Sequence, residues 1–264
     1  MSERAIRVGT WNVGRLVSTG VGAEDSDPDR SARRIGDALR RSAADLVALQ
    51  EVESPTLGIG EATGEAERIA DLAGLGHTLL WGVSPSHRTA GQALGLTILS
   101  RYPLTQAQGI VLPNPMLSSP QPSGEVWRSH DKGLLLATAS TPLGDVTFAC
   151  LHGLPFHRFG RARDEPAFLP IWRTLSSHLQ RLARVRPTIV CGDFNAQSLD
   201  TLLPDIVANG IFHWIMFDRT RPNGARSDHV LATYGWRVIR ASSEPGPFDH
   251  YLCMATLTLG PEAP

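Results

Sequence analysis

Short runs of β-type residues recur along the whole chain, at 6–11, 46–49, 78–83, 96–99, 134–139, 146–151, 188–191, 230–233, 236–239 and 252–259. Several are continuously apolar, which is the pattern of strands covered on both faces. Between them the apolar positions change to three- and four-residue steps. Residues 27–43 predict a helix capped by Asp27, with Pro28 at the first helical position and Ile35, Ala38 and Leu39 inward. Its arginines (Arg30, Arg33, Arg34, Arg40, Arg41) then form a solvated outer face. A second helix covers 65–73. A third starts near Asp164 with Pro166 in its first turn, carries Leu169, Trp172, Leu175, Leu179 and Leu182, and stops before Pro187. Gly and Pro cluster at 54–64, 113–124 and 222–224, which predicts surface loops. With no repeat and no linker-like stretch, the pattern predicts one α/β domain over 1–264, two β-sheets packed face to face with helices outside.

Composition sharpens this. The 264 residues are 42% hydrophobic and 19% charged, with 25 basic against 26 acidic side chains and a formal charge of -1. A disordered tail, a collagen-like rod and a disulfide mini-protein are excluded. The missing basic excess disfavours tight non-specific binding to duplex nucleic acid. Lys132 is the only lysine; the arginine skew fits both phosphate recognition and a genomic base-composition bias. The three cysteines, Cys150, Cys191 and Cys253, are odd in number and lie in apolar stretches, so they read as buried free thiols. No apolar run reaches membrane-spanning length, and the first residues lack the apolar core of a signal peptide. A soluble, cytoplasmic, monomeric protein acting away from membranes is the expectation.

The chemistry lies where apolar strands end. One ends at Asn12, one at Glu51, one at His152, and one runs into Gly-Asp-Phe-Asn with Asp193 and Asn195. Two further pairs follow, Asp228 with His229 and Asp249 with His250. Strand ends are where α/β folds assemble sites, because the sheet holds the backbone rigid while loops leave room for a ligand. Taken singly, each residue has a structural use as a turn former, cap or hydrogen-bonded core group. Taken together, they form a set of oxygen donors and imidazoles suited to a hard cation and a phosphoester. Mg²⁺ or Mn²⁺ fits better than Zn²⁺, for which no HxH or HExxH spacing is present. His229, beside Asp228 on one strand, should point to the opposite face and be structural.

The ordered segments GTWN, LQEV, GLTILSRYP (95–103), FACLHG, GDFNAQ, RSDHVLATYGW (226–236) and FDHY resemble the signature of the endonuclease/exonuclease/phosphatase superfamily, from Ile6 to Leu257. The resemblance implies the DNase I-like four-layered α/β/β/α sandwich and a Mg²⁺- or Mn²⁺-dependent hydrolase. It implies that Asn12, Glu51 and Asp249 lie at the metal, with Glu51 the principal ligand. It implies that His152 contacts the scissile phosphate or leaving group, that Asp193 and Asn195 position water and bind phosphate, and that Asp228 orients the phosphate-touching His250. Three positions depart from the family pattern: Phe248 replaces a hydroxyl before the last Asp-His pair, Cys150 replaces a Thr or Ser, and Gly153 replaces a Leu.

Substrate choice is less legible. The stretch 153–166 interleaves Phe156, His157, Arg158, Phe159, Arg161 and Arg163, and such mixtures suit base stacking with phosphate contact, so Phe156, Arg158 and Arg161 are the candidate substrate residues. The same residues equally suit a loop tucked onto the body with solvated arginines. The 113–127 loop has no Lys or Arg, which weakens any picture of a long duplex across the face. The leading expectation is a phosphodiesterase for nucleic acid, single-stranded or nucleotide-like. The alternatives are a small-molecule phosphatase or phosphodiesterase for a polyol or lipid headgroup, and a non-catalytic binding protein.

Overall fold

The computed structural model describes residues 4–14, 28–86, 89–120 and 124–260. The chain opens with β1 (Ile6–Asn12), α1 (Pro28–Ser42), β2 (Leu46–Ser54), β3 (Gly58–Gly60) and α2 (Glu65–Ala73). It continues through β4 (His77–Pro85), β5 (Ala93–Ser100), β6 (Leu104–Val111), the hairpin of β7 (Ser118–Pro120) and β8 (Val126–Arg128), β9 (Gly133–Thr141) and β10 (Gly144–His152). After 3-10 turns at Phe156–Phe159 and Pro166–Phe168 come α3 (Leu169–Ala183), β11 (Thr188–Asp193), α4 (Pro204–Val207), β12 (Phe212–Ile215), β13 (Asp228–Thr233), β14 (Trp236–Glu244) and β15 (Leu252–Leu259).

Seven strands form one mixed sheet in the order β14-β15-β1-β2-β5-β4-β3, and six form a second in the order β12-β13-β11-β10-β9-β6. Between the sheets, Ile6, Val8, Leu46 and Ala48 meet Phe148, Ile189, Val230 and Ala232 in one apolar core. Outside the first sheet, Ile35 and Leu39 of α1 and Ile69 of α2 cover Trp11, Val47 and Leu49. Outside the second, Trp172, Leu175 and Leu179 of α3 cover Ala149, Val190 and Leu231. This is the DNase I-like α/β/β/α sandwich, and strands such as β5, buried at every position, are mostly apolar because both faces are covered. The two helices on the first sheet approach closely at Gly36, where an added Cβ would sit 2.4 Å from the Leu72 Cβ.

Every strand read from the sequence forms, and five others appear. β6 was hidden because it lies at a sheet edge, exposes Thr105 to Gln108, and loses its alternation at a bulge where Gln106 has φ +53°. The expected 113–124 loop instead contains β7 and leads into β8, and the 54–64 loop contains β3. Leu169, expected inward on the third helix, is 40% exposed; Ile171 takes the buried position. The cap assigned to Asp27 lies outside the described residues.

Candidate active site

Strand register lines up the polar strand ends. In the second sheet His152 of β10 pairs with Asp193 of β11, which pairs with Asp228 of β13, so the three stand abreast. Side chains alternate along a strand, and Cys150, Cys191 and Val230 of the same strands point into the inter-sheet core. His152, Asp193 and Asp228 share that parity and therefore continue the core at its polar end. In the first sheet Asn12 follows Val8 and Thr10 on the inward parity of β1, opposite Gln50 of β2.

Glu51 breaks the alternation. Strict period two would send it outward with Leu49, away from Asn12. The β2–β5 register shifts between Gln50 and Val52, and Glu51 takes φ +60°, a backbone conformation uncommon outside glycine. The bulge turns Glu51 inward, where its Oε1 accepts a hydrogen bond from Asn12 Nδ2 at 3.3 Å, and returns Val52 to the outer core. A local strain is thus spent on aiming one carboxylate.

Asp193 is the hub. Its Oδ2 accepts from Asn12 Nδ2 at 3.1 Å and faces His250 Nε2 at 3.7 Å and His152 Nε2 at 3.8 Å, while its Oδ1 accepts from the Asn195 backbone N–H at 2.8 Å. Gly192 before it has no room for a side chain: a Cβ would lie 2.1 Å from the Leu151 carbonyl oxygen. Asn195, itself at φ +52°, donates through Nδ2 to the Gly153 carbonyl at 3.0 Å and so ties the GDFN turn to the segment after His152.

His250 donates from Nδ1 to Asp228 Oδ2 at 2.8 Å, and Ser227 Oγ donates to the same oxygen at 3.1 Å. Burial alone would lower the His250 pKa, but the carboxylates of Asp228 and Asp193 together outweigh it and raise it to about 9. His152 goes the other way: burial and the Lys132 ammonium, 3.2 Å from both ring nitrogens, lower it to about 3 against the pull of Asp193 and Glu51. One imidazole is held charged and the other neutral within one site. Phe248 replaces the usual hydroxyl by packing edge-on to Trp11 at 5.4 Å, while Trp11 Nε1 donates to the His250 carbonyl at 3.0 Å, so the last loop is held from β1.

Asp249 points to the cleft with its side chain 38% exposed and pairs with Arg221, whose Nε also donates to the Asp249 carbonyl at 3.3 Å. His229 is elsewhere, as its parity requires. It is buried, accepts from Trp214 Nε1 at 3.0 Å on Nδ1 and donates from Nε2 to the Ala196 carbonyl at 2.7 Å.

Of these groups, His152 and Asp249 line a cleft of about 820 Å³ with Asn12, Glu51, Asp193, Asn195 and His250 at its floor. Of the three residues expected at the substrate, Arg158 lines it, and Phe159 beside it does too. Phe156 does not: it is buried against Phe168, ring centroids 4.5 Å apart, because the 3-10 turn needs an apolar anchor. Nor does Arg161, which pairs with Glu165 and lies over the Phe168 ring. Sequence reasoning missed Lys132, Arg221 and Trp127. Being the only lysine was the one available signal for Lys132; nothing local marks Arg221, which reaches Asp249 only through the fold.

Asp193, Asp228 and His250 bring three ligand-type atoms within 4.8 Å of one another. Asp228 spends its oxygens on His250 and Ser227, so this cluster is a hydrogen-bonded relay. The oxygen donors on the Glu51 side of the cleft are of the type that could hold a hard divalent cation. Asp249 joins them only if Arg221 releases it.

The Endonuclease/Exonuclease/phosphatase family model matches residues 9–249. The chain belongs to that family. Its members are phosphoesterase hydrolases, typically dependent on a divalent metal, which supports phosphate-ester chemistry here. Among solved structures, a family protein from Beutenbergia cavernae is 23% identical, with a TM-score of 0.68 over 97% of this chain and 72% of that one. A mannosyl-6-phosphatase from Bacteroides thetaiotaomicron is 13% identical, with a TM-score of 0.61 over 96% and 100%. Truncated TDP2 from Caenorhabditis elegans is 14% identical, with a TM-score of 0.62 over 96% and 97%. At these identities the likeness is one of fold. No curated protein matches the sequence. No helix among the described residues is long and apolar enough to cross a membrane.

Proposed function

We propose that this protein is a Mg²⁺- or Mn²⁺-dependent phosphodiesterase acting on a nucleotide-like ester. The observation that carries the reading is the meeting, in one cleft, of a buried Asp228–His250 pair, the Asp193 carboxylate and the bulge-directed Glu51. Glu51 and Asn12, with Asp249, are the groups to hold the cation; when bound, it supplies a positive contact to a phosphate oxygen and to water. His250, charged at neutral pH, keeps a proton at Nε2 and neutralises charge that develops on the phosphate as the bond breaks. Asp228 orients the ring by accepting the hydrogen bond from its Nδ1–H and stabilises its positive charge. Asp193 Oδ2 takes a proton from the attacking water, which the Asn195 side-chain oxygen helps to orient. His152, kept neutral, contacts the phosphate or leaving group without adding charge, and Lys132 behind it adds a fixed positive field.

A small-molecule phosphatase is the second reading, favoured by the even division of acidic and basic side chains around the cleft. The test compares bis-p-nitrophenyl phosphate with p-nitrophenyl phosphate, with and without Mg²⁺ or Mn²⁺. Faster metal-dependent turnover of the diester, lost in Asp193→Asn, is the expected result. Preference for the monoester favours the second reading, and no turnover of either ester sinks both.

A further inference from the structure

The cleft has a wall as well as a floor, and among the described residues the two sides of the wall meet. On one side stand β8 and the residues after it, with Trp127, Arg128 and Lys132; on the other stands the 3-10 turn, with Pro155, Arg158 and Phe159. The two sides touch: β7 packs against the turn, and the Arg158 guanidinium lies over the Trp127 ring, 5.2 Å from its centroid. A cation over an indole face is a favourable contact, so the bridge holds the two sides together.

Charge is also divided. The floor carries Glu51, Asp193 and Asp249 together with His250 and with Arg221, which pairs with Asp249, whereas the wall carries Arg128, Lys132 and Arg158 against Glu125. An anionic group is therefore drawn to the wall by its basic side chains. A continuous polynucleotide lying between floor and wall has to part Trp127 from Arg158 so that both flanking segments can leave. A single terminal group enters without breaking the bridge.

We propose, building on the phosphodiesterase reading, that the Trp127–Arg158 bridge makes this cleft a dead-ended pocket for a terminal phosphate ester. The ligand is a ring-bearing group of nucleotide size at a chain end or free in solution. The bridge rejects the interior of a strand. Trp127 offers the ring of that group an aromatic edge, and Arg158 and Arg128 take its negative charge.

The experiment uses the whole protein with Mn²⁺ and two substrates of one sequence, a linear single-stranded oligonucleotide and its covalently closed circle, with thymidine 5′-monophosphate p-nitrophenyl ester as the small diester. Hydrolysis of the small diester, alone or with shortening of the linear strand from an end, while the circle stays intact, is the expected result. Trp127→Ala and Arg158→Ala then narrow the gap between linear and circular substrates, and thermal melts confirm that the variants fold. Cutting of the circle at a rate within about tenfold of the linear strand overturns the proposal. If no ester is turned over, the phosphodiesterase reading fails separately, and the pocket is judged by calorimetric binding of thymidine 5′-monophosphate in Ca²⁺. Weakening by about tenfold or more in both variants supports the pocket; unchanged affinity, or no binding by the wild type, overturns it.

Discussion

The floor and the wall of the cleft are built on opposite principles. The floor is made of strand ends: His152, Asp193 and Asp228 stand in register on three hydrogen-bonded neighbours, and all are nearly fully buried. The wall is made of a short hairpin and a 3-10 turn, and its Arg128 and Arg158 are exposed. A sheet fixes the spacing of reacting groups to fractions of an ångström, which proton transfer and charge stabilisation require. Loops can change length and side chain without disturbing that spacing, so they are free to choose the substrate.

If the division holds, damage to the floor should outweigh damage to the wall. His250→Ala removes the charged ring and leaves Asp228 with only the Ser227 hydroxyl among its described side-chain partners; it is expected to lower turnover by roughly 10²- to 10⁴-fold. Near-normal turnover of bis-p-nitrophenyl phosphate by this variant would remove His250 from the chemistry. Glu51→Gln should instead raise the Mg²⁺ concentration needed for half-maximal rate by about tenfold or more. A metal titration that superimposes on the wild type would break that assignment.

His229 sharpens the contrast from the outer side of the same strand, since it belongs to neither floor nor wall. Burial lowers its pKa, so the folded state prefers the neutral ring. Its contribution to stability is fully present above the unfolded value of about 6.5 and is lost as the pH falls below it towards the folded value. His229→Gln should therefore flatten the fall of Tm between about pH 6.5 and 5, relative to the wild type; an unchanged slope would show that the ring does not titrate in this window. The smallest effect is expected at Arg161, whose partner Glu165 lies outside the cleft: Arg161→Ala should leave turnover within about twofold of normal. A large loss there would show that the wall extends further than the described contacts.

The layered sandwich was legible because runs such as 134–139 and 252–259 are apolar on both faces, and only covered strands tolerate that. The site was legible in part for a related reason: polar residues at the ends of such strands have no structural excuse in large numbers. Phe156 was misplaced because an aromatic in a basic loop looks the same in sequence whether it stacks on a ligand or anchors the turn. Only its contact with Phe168 and Trp172 distinguishes the two. The β7–β8 hairpin was missed because three-residue strands carry too little periodicity to be seen.

The order of apolar runs and the kinds of polar residue that end them belong to the sequence, since they follow from local periodicity and side-chain chemistry. Which carboxylate faces which imidazole belongs to the tertiary structure, because it depends on strand register, on a bulge that reverses Glu51, and on the neighbouring carboxylates that charge His250 while burial and Lys132 leave His152 neutral. These are relations between residues up to 239 positions apart, as Trp11 and His250 illustrate. No local pattern encodes such a relation, because the energy that sets it comes from contacts that exist only once both sheets have packed.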